Sequence, residues 1–302
     1  MAARTLRLAY LLLYNAFMAA AWATVLGELL GAVSTAFGDP SFELRNGVLI
    51  PGDYLAARAR GTLEDKRPVV PPAIKSWGSL TWYGKLSFVK PRLFAAYWHV
   101  RPIAVKVQSV TLLETLHAAL GIVRSAPSTN ALQWLGRTHC VAVAASLVSY
   151  PTKPYASAEL IPALHAGAAL VAITAWCLSE LVRYPWAAVK LLADSAAPHA
   201  PPVLRVTNDV LTYLRYTAFI VLYPVGFLAE EALLISSLPH TYETDKYDIE
   251  MPNAWNFAFH YRSFLWGVIY AQPIGFIALY MHMWDSREKK LAPVQPAKPK
   301  DQ

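Results

Sequence analysis

Tyr223 and Glu230 stand seven residues apart in a segment, Leu211 to Leu238, that is otherwise almost wholly apolar. If the segment is helical, seven residues turn it by roughly 700° and advance it by about 10 Å, so both side chains point the same way. A phenol and a carboxyl on one face can act as a proton donor and a proton acceptor. The same two groups can instead hold helices together through hydrogen bonds, and both readings stand on the residues alone. Either way the carboxyl is expensive: a charge at the centre of a bilayer-length helix costs ~3 kcal/mol on insertion scales. Between the two residues, Pro224 removes the amide donor that Ile220 would use, and Gly226 leaves the backbone open to close approach. Glu231 follows Glu230 but is turned by about 100°, off the shared face.

Other polar residues interrupt apolar stretches. Glu114 and His117 are three apart, Glu180, Arg183 and Tyr184 cluster, and Arg215 and Tyr216 precede Tyr223. Guanidinium groups suit phosphate oxygens, which makes Arg183 and Arg215 candidate substrate contacts, with the open backbone at Gly226 as a third. The structural alternative pairs them with Glu114 or Glu180. The histidines never fall into paired clusters and no His-Glu-x-x-His motif occurs, so no metal site is expected. Cys177-Leu-Ser-Glu-Leu-Val-Arg183 matches the Cys-x5-Arg spacing of tyrosine phosphatases. That chemistry needs a loop of free backbone amides, whereas this segment reads as continuous glycine-free helix, so a phosphatase is rejected.

These residues must be carried by elements that suit a membrane. Of 302 residues, 55% are hydrophobic and 16% charged, against about 25% charged in soluble domains. Apolar segments recur at bilayer length, and we expect six spans at 8–33, 104–124, 136–152, 158–183, 211–238 and 264–284. The first is too long for a signal-peptide core and is read as retained. The net charge of +7 and pI near 9.3 come from scattered basic residues, which fits topology and anionic head groups better than nucleic acid. Cys140 and Cys177 lie in apolar stretches, so no disulfide framework is expected. Lysine and arginine crowd one set of short loops, which places both termini in the cytosol. Residues 34–103, with aromatics from Trp77 to Trp98 among basic residues, are read as a long lumenal loop on a six-span domain of residues 1–290. Residues 291–302 are read as a disordered cytosolic tail. Its Lys298 and Lys300 resemble a dilysine retrieval signal of endoplasmic-reticulum membrane proteins.

Five blocks carry a resemblance to a known family. They are Tyr10-Leu-Leu-Leu-Tyr-Asn15 with Trp22; Leu113-Glu-Thr-Leu-His117 through Ser125; Trp176 with Ser179-Glu-Leu-Val-Arg-Tyr184; Leu214-Arg-Tyr216 with Leu222-Tyr-Pro-Val-Gly226 and Glu230; and Tyr280-Met-His-Met283. The chain resembles the very-long-chain 3-hydroxyacyl-CoA dehydratases, once described as protein-tyrosine-phosphatase-like. The resemblance implies an all-α, six-span bundle of the endoplasmic-reticulum membrane. It also implies the third step of fatty-acid elongation, dehydration of (3R)-3-hydroxyacyl-CoA to trans-2-enoyl-CoA, without a cofactor. Tyr223 and Glu230 map onto the family's catalytic pair, and the implied partners are the acyl-CoA, membrane lipid and other elongation enzymes. Two features depart from the pattern: the first loop is longer, and Phe227 is bulky beside the site, where it is expected to narrow the acyl channel. The competing readings are a non-catalytic membrane scaffold and a proton-coupled transporter, since an intramembrane Glu beside a Pro-Gly break also suits proton coupling.

Overall fold

The structure, a computed structural model, describes residues 2–38, 82–147 and 160–292. The elements are α1 (Ala2–Gly38), α2 (Trp82–Val110), α3 (Leu112–Ala119), α4 (Pro127–Thr138), α5 (Leu160–Ala196), α6 (Pro202–Ser237), α7 (His240–Glu243) and α8 (Tyr261–Leu291). Between α4 and α5 the chain makes a π-helical turn, His139–Val143, and a 3-10 turn, Ala144–Ser146. Among the described residues four helical stretches, Arg4–Phe37, Leu164–Ala196, Pro202–Tyr242 and Tyr261–Leu291, are long and apolar enough to cross a bilayer. The chain is therefore an all-α, multi-pass membrane bundle.

The expected second and third spans take a different form. Residues 82–103, read as loop, are the first three quarters of α2. The reason is packing: Phe94, Tyr97, Val100, Ala104 and Gln108 recur every three or four residues and are all buried, the period of a helix face. The basic residues between them point elsewhere, and in the sequence they obscured that period. Arg101, for example, donates to the carbonyls of Val141 and Ala142 at 3.3 and 3.2 Å, tying α2 to the π-helical turn. The helix stops at Val110, where the Thr111 hydroxyl donates to the Gln108 carbonyl at 2.6 Å, and α3 continues separately. The rest of the expected first loop, the segment holding Lys153 and the tail with Lys298 and Lys300 lie outside the described residues.

α5 is the central helix. Of its most apolar window 61% is buried, against 11% for α8. Ala166, Ala169, Ala172, Ile173, Trp176 and Cys177 are all buried along it. Lipid tails give no hydrophobic drive for helix association, so close packing of small residues has to supply it. α1 and α2 cover one side of α5, α6 makes the largest interface with it, and α8 lies chiefly against α6. Gly226 is part of that α5–α6 interface: a Cβ built on it would sit 3.5 Å from the Cβ of Ala175, an ordinary contact. What approaches the Gly226 backbone is α5.

This packing gives a graded prediction. Gly226→Ala should leave folded yield and thermal midpoint in detergent near wild type. Gly226→Leu should wedge α5 from α6 and cost on the order of 1–3 kcal/mol, as overpacking does. A Gly226→Leu protein that melts like wild type would show that the interface is not tight there.

Candidate active site

Glu230 reaches the α5–α6–α8 junction. Its Oε1 accepts from the Trp176 indole N–H on α5 at 2.8 Å, and its Oε2 accepts from the Gln272 amide on α8 at 3.0 Å. Each carboxyl oxygen thus has its own donor on a different helix, and this offsets the desolvation of a charge. Tyr223 stands two turns away on the same face of α6. Its ring stacks on Phe276 at 5.1 Å and lies parallel to Tyr280 at 6.1 Å. Among the described residues its hydroxyl has no hydrogen-bond partner. Phe227 stands between the pair and stacks on Phe276 at 4.2 Å.

The α8 side has the matching register. Gln272, Phe276 and Tyr280 are spaced by four residues and so share a face. Running antiparallel to α6, they meet Glu230, then Phe227 and Tyr223, then Ile220, whose carbonyl accepts from the Tyr280 hydroxyl at 3.3 Å. Ile220 is the residue whose carbonyl loses its intrahelical partner to Pro224. Tyr280 supplies the missing donor.

A second polar group lies along α5 from the first. Arg183 donates to both oxygens of Glu114, at 2.9 and 2.7 Å, and to Glu180 at 2.5 Å. Arg137 donates to the other oxygen of Glu180 at 2.6 Å. The Tyr184 hydroxyl adds a 2.5 Å bond to Glu114. Two guanidinium groups and two carboxylates balance, as buried charges must. The cluster borders a small polar cleft lined also by Gln108, Thr111, Asn130 and Gln133. Arg137 joins the two sites: its guanidinium lies 5.4 Å from the Trp176 ring whose N–H serves Glu230. His117, expected beside Glu114, turns instead to the Tyr10 hydroxyl of α1 at 2.6 Å.

The candidate residues therefore divide. Tyr223 and Glu230 share the α6 face that meets α8. Arg183 is engaged by Glu114 and Glu180. Arg215 has no carboxylate within ion-pair distance among the described residues and packs its guanidinium 5.8 Å from the Trp186 ring. Gly226 faces α5. Cys177 is fully buried within continuous α5, where backbone amides are spent on the helix and cannot cradle phosphate.

A family model described as "Protein tyrosine phosphatase-like protein, PTPLA" matches residues 108–293, which hold both polar groups. The chain belongs to this family. It is 31% identical over 185 residues, 61% of its length, to proteins named very-long-chain (3R)-3-hydroxyacyl-CoA dehydratase 2 from Mus musculus and Homo sapiens. The matched stretch spans 63% of the length of each of these two relatives. A protein from Oryza sativa subsp. japonica, named very-long-chain (3R)-3-hydroxyacyl-CoA dehydratase PASTICCINO 2A, is 30% identical over 223 residues, covering 73% of this chain and 90% of the relative. No solved structure matches. The family match begins at Gln108, so α1 and most of α2 precede it.

Sequence reasoning passed over three residues that build the site in this PTPLA member: Trp176, Gln272 and Arg137. Their signal was present but weak. Trp176 is one helical turn before Glu180, and Gln272 is the one amide in an apolar helix, where a polar side chain seeks a partner.

Proposed function

We propose that this chain dehydrates (3R)-3-hydroxyacyl-CoA to trans-2-enoyl-CoA, the third step of very-long-chain fatty-acid elongation. The observation that carries the reading is the Tyr223–Glu230 face: a carboxylate held by two donors and a phenol without a hydrogen-bond partner among the described residues, set two turns apart. The names of the relatives support the substrate class. Glu230, with both oxygens accepting hydrogen bonds, suits the role of base, and Tyr223, ordinarily protonated near neutrality, suits the role of acid.

The step balances on these two groups. Glu230 takes a proton from C2, the C2–H electron pair becomes the C2=C3 bond, and the C3–O bond breaks. Tyr223 gives its proton to the departing hydroxyl, which leaves as water. A proton passed from Glu230 back to the tyrosinate resets the site. The two transfers are worth roughly 10²–10⁴-fold each when well placed. No oxidation state changes, so the elimination calls for no redox cofactor.

The cluster end of the bundle suits the head of the substrate. Arg215 is a cation there with no carboxylate in ion-pair distance among the described residues, which fits it for CoA phosphate. Arg183, spanned by Glu114 and Glu180, fits a structural role, and Gly226 a packing one. Localisation follows the same reading: an endoplasmic-reticulum membrane protein with both termini in the cytosol, working beside other enzymes of the elongation cycle. Arg7, Arg137, Arg183 and Arg215 gathered towards one end of the bundle support that orientation.

Three tests bear on this reading. Purified wild-type protein given a 3-hydroxyacyl-CoA should release the enoyl-CoA without partners. Tyr223→Phe and Glu230→Gln should each lose at least about 100-fold of that rate while accumulating normally in membranes. Near-normal turnover in either variant removes that residue from proton transfer.

Arg215→Gln should raise KM for the CoA ester several-fold with kcat little changed, as loss of uniform binding does. Arg183→Gln should instead destabilise the fold by on the order of 2 kcal/mol, because it leaves Glu114 without a cation and Glu180 with Arg137 alone. An unchanged KM in folded Arg215→Gln protein excludes the head-group role.

A glycosylation acceptor placed in the 244–260 loop should be modified, and one added after Lys290 should not, if the basic ends face the cytosol. The reverse pattern inverts the orientation.

A further inference from the structure

Pro224 lies one residue after Tyr223 and leaves the Ile220 carbonyl without its amide donor. In a membrane helix such a carbonyl needs another partner, because lipid offers none. The Tyr280 hydroxyl fills that place from α8, at 3.3 Å. Ile220 is three residues before Tyr223, on the same face of α6. Tyr280 itself is held on several sides. Phe219 meets its ring edge-on at 5.7 Å, Trp284 does so at 6.3 Å, and Phe276 stacks on it at 5.4 Å. The Tyr280 and Tyr223 rings are parallel to within 2°. A clamped ring that is bonded to the turn preceding Tyr223, and parallel to its ring, fixes both where that turn bends and how the phenol is aimed.

We propose that Tyr280 is a positioning residue for Tyr223: by satisfying the carbonyl freed at Pro224 and stacking alongside, it holds the phenol in line for proton donation. It touches neither the reacting carbons nor the departing hydroxyl, and acts through Tyr223. The inference rests on the dehydratase reading above. It goes beyond that reading by giving the Pro224 break a purpose and α8 a share in the chemistry. Gln272, two turns earlier on α8, does for Glu230 what Tyr280 does for Tyr223, so one helix face sets the geometry of both groups.

The test is a double-mutant cycle on full-length protein, with enoyl-CoA formation as the readout. Tyr280→Phe keeps the ring and its stacking and removes only the hydroxyl. It should lower kcat about tenfold with KM within about twofold, because a misplaced donor weakens the transition state and not substrate binding. In a Tyr223→Phe background the same change should alter the residual rate by less than about twofold, since the group it positions is gone. An unchanged kcat in Tyr280→Phe protein overturns the inference, as does a tenfold loss that persists in the Tyr223→Phe background. A rise in KM alone also overturns it, and so does a Tyr280→Phe protein that fails to fold, which would make the hydroxyl structural. If wild-type protein forms no enoyl-CoA, the dehydratase reading fails first and takes this inference with it. If wild type turns over and only the Tyr280→Phe outcome fails, the dehydratase reading stands alone.

Discussion

A carboxylate in the middle of an apolar helix has to be answered from outside that helix, and the arrangement around Glu230 follows from this need. Each oxygen requires a donor, and Tyr223, on the same face of α6, stands about 10 Å further along the helix. Trp176 comes from α5 and Gln272 from α8, so α6 is held between the two helices that supply them. The indole that serves Glu230 lies under Arg137, and Arg137 must in turn be neutralised. Glu180 does so, and shares its other oxygen with Arg183, which closes on Glu114. One half-buried carboxylate thus propagates into a chain of partners reaching from α6 through α5 to α4 and α3. Removing a middle member would strand its neighbours, which is why such networks are stable only when complete.

The two sides of α6 differ in character. Towards α5 it presents Gly226 and small residues that permit tight approach, and that interface joins the well-buried body of α1, α2 and α5. Towards α8 it presents rings: Tyr223, Phe227 and Phe219 meet Phe276, Tyr280 and Trp284. α8 is the least covered of the long helices and depends chiefly on α6 for its place. The proposed catalytic face is therefore built where a firm scaffold meets a helix joined to α6 by stacked rings and by the hydrogen bonds of Gln272 and Tyr280. On the dehydratase reading proposed above, an acyl chain arriving from the bilayer would enter between helices, and α8, the least covered of them, borders this seam.

Much of this was legible in the sequence, and the failures have physical reasons. That Tyr223 and Glu230 share one face of a helix was legible because a helix has a fixed period and a polar residue in an apolar run is costly. Both possibilities for Arg183 followed from charge alone, and the geometry places it with Glu114 and Glu180. The helical character of 82–103 was hidden because hydropathy averages over the basic residues, while burial tests only the face carrying Phe94, Tyr97 and Val100. Gly226 was read as open backbone, yet small size serves a neighbouring helix as readily as a ligand, and only the position of Ala175 distinguishes them. Trp176 and Gln272 were missed because their partner is more than forty residues away, and one sequence carries no record of which helices meet.

Charge accounting also separates the two arginines that the sequence put forward together. Arg137 and Arg183 are matched by Glu114 and Glu180, so the cluster as a whole carries little field outward. Arg215 is not matched: its neighbour is the Trp186 ring, which can stack on a guanidinium without neutralising it. Trp186 is fixed in turn by its indole N–H donating to Thr212 at 3.1 Å, one turn before Arg215 on α6. A cation held by an aromatic face keeps its donors for something else. An anion approaching this end of the bundle meets a neutral network and, in Arg215, a guanidinium with no carboxylate in ion-pair distance among the described residues, on the same helix as Tyr223 and two turns from it. The spacing that aligns Arg215 with Tyr223, eight residues or roughly 12 Å of rise, is of the kind needed when a polar head and a reacting carbon belong to one extended substrate.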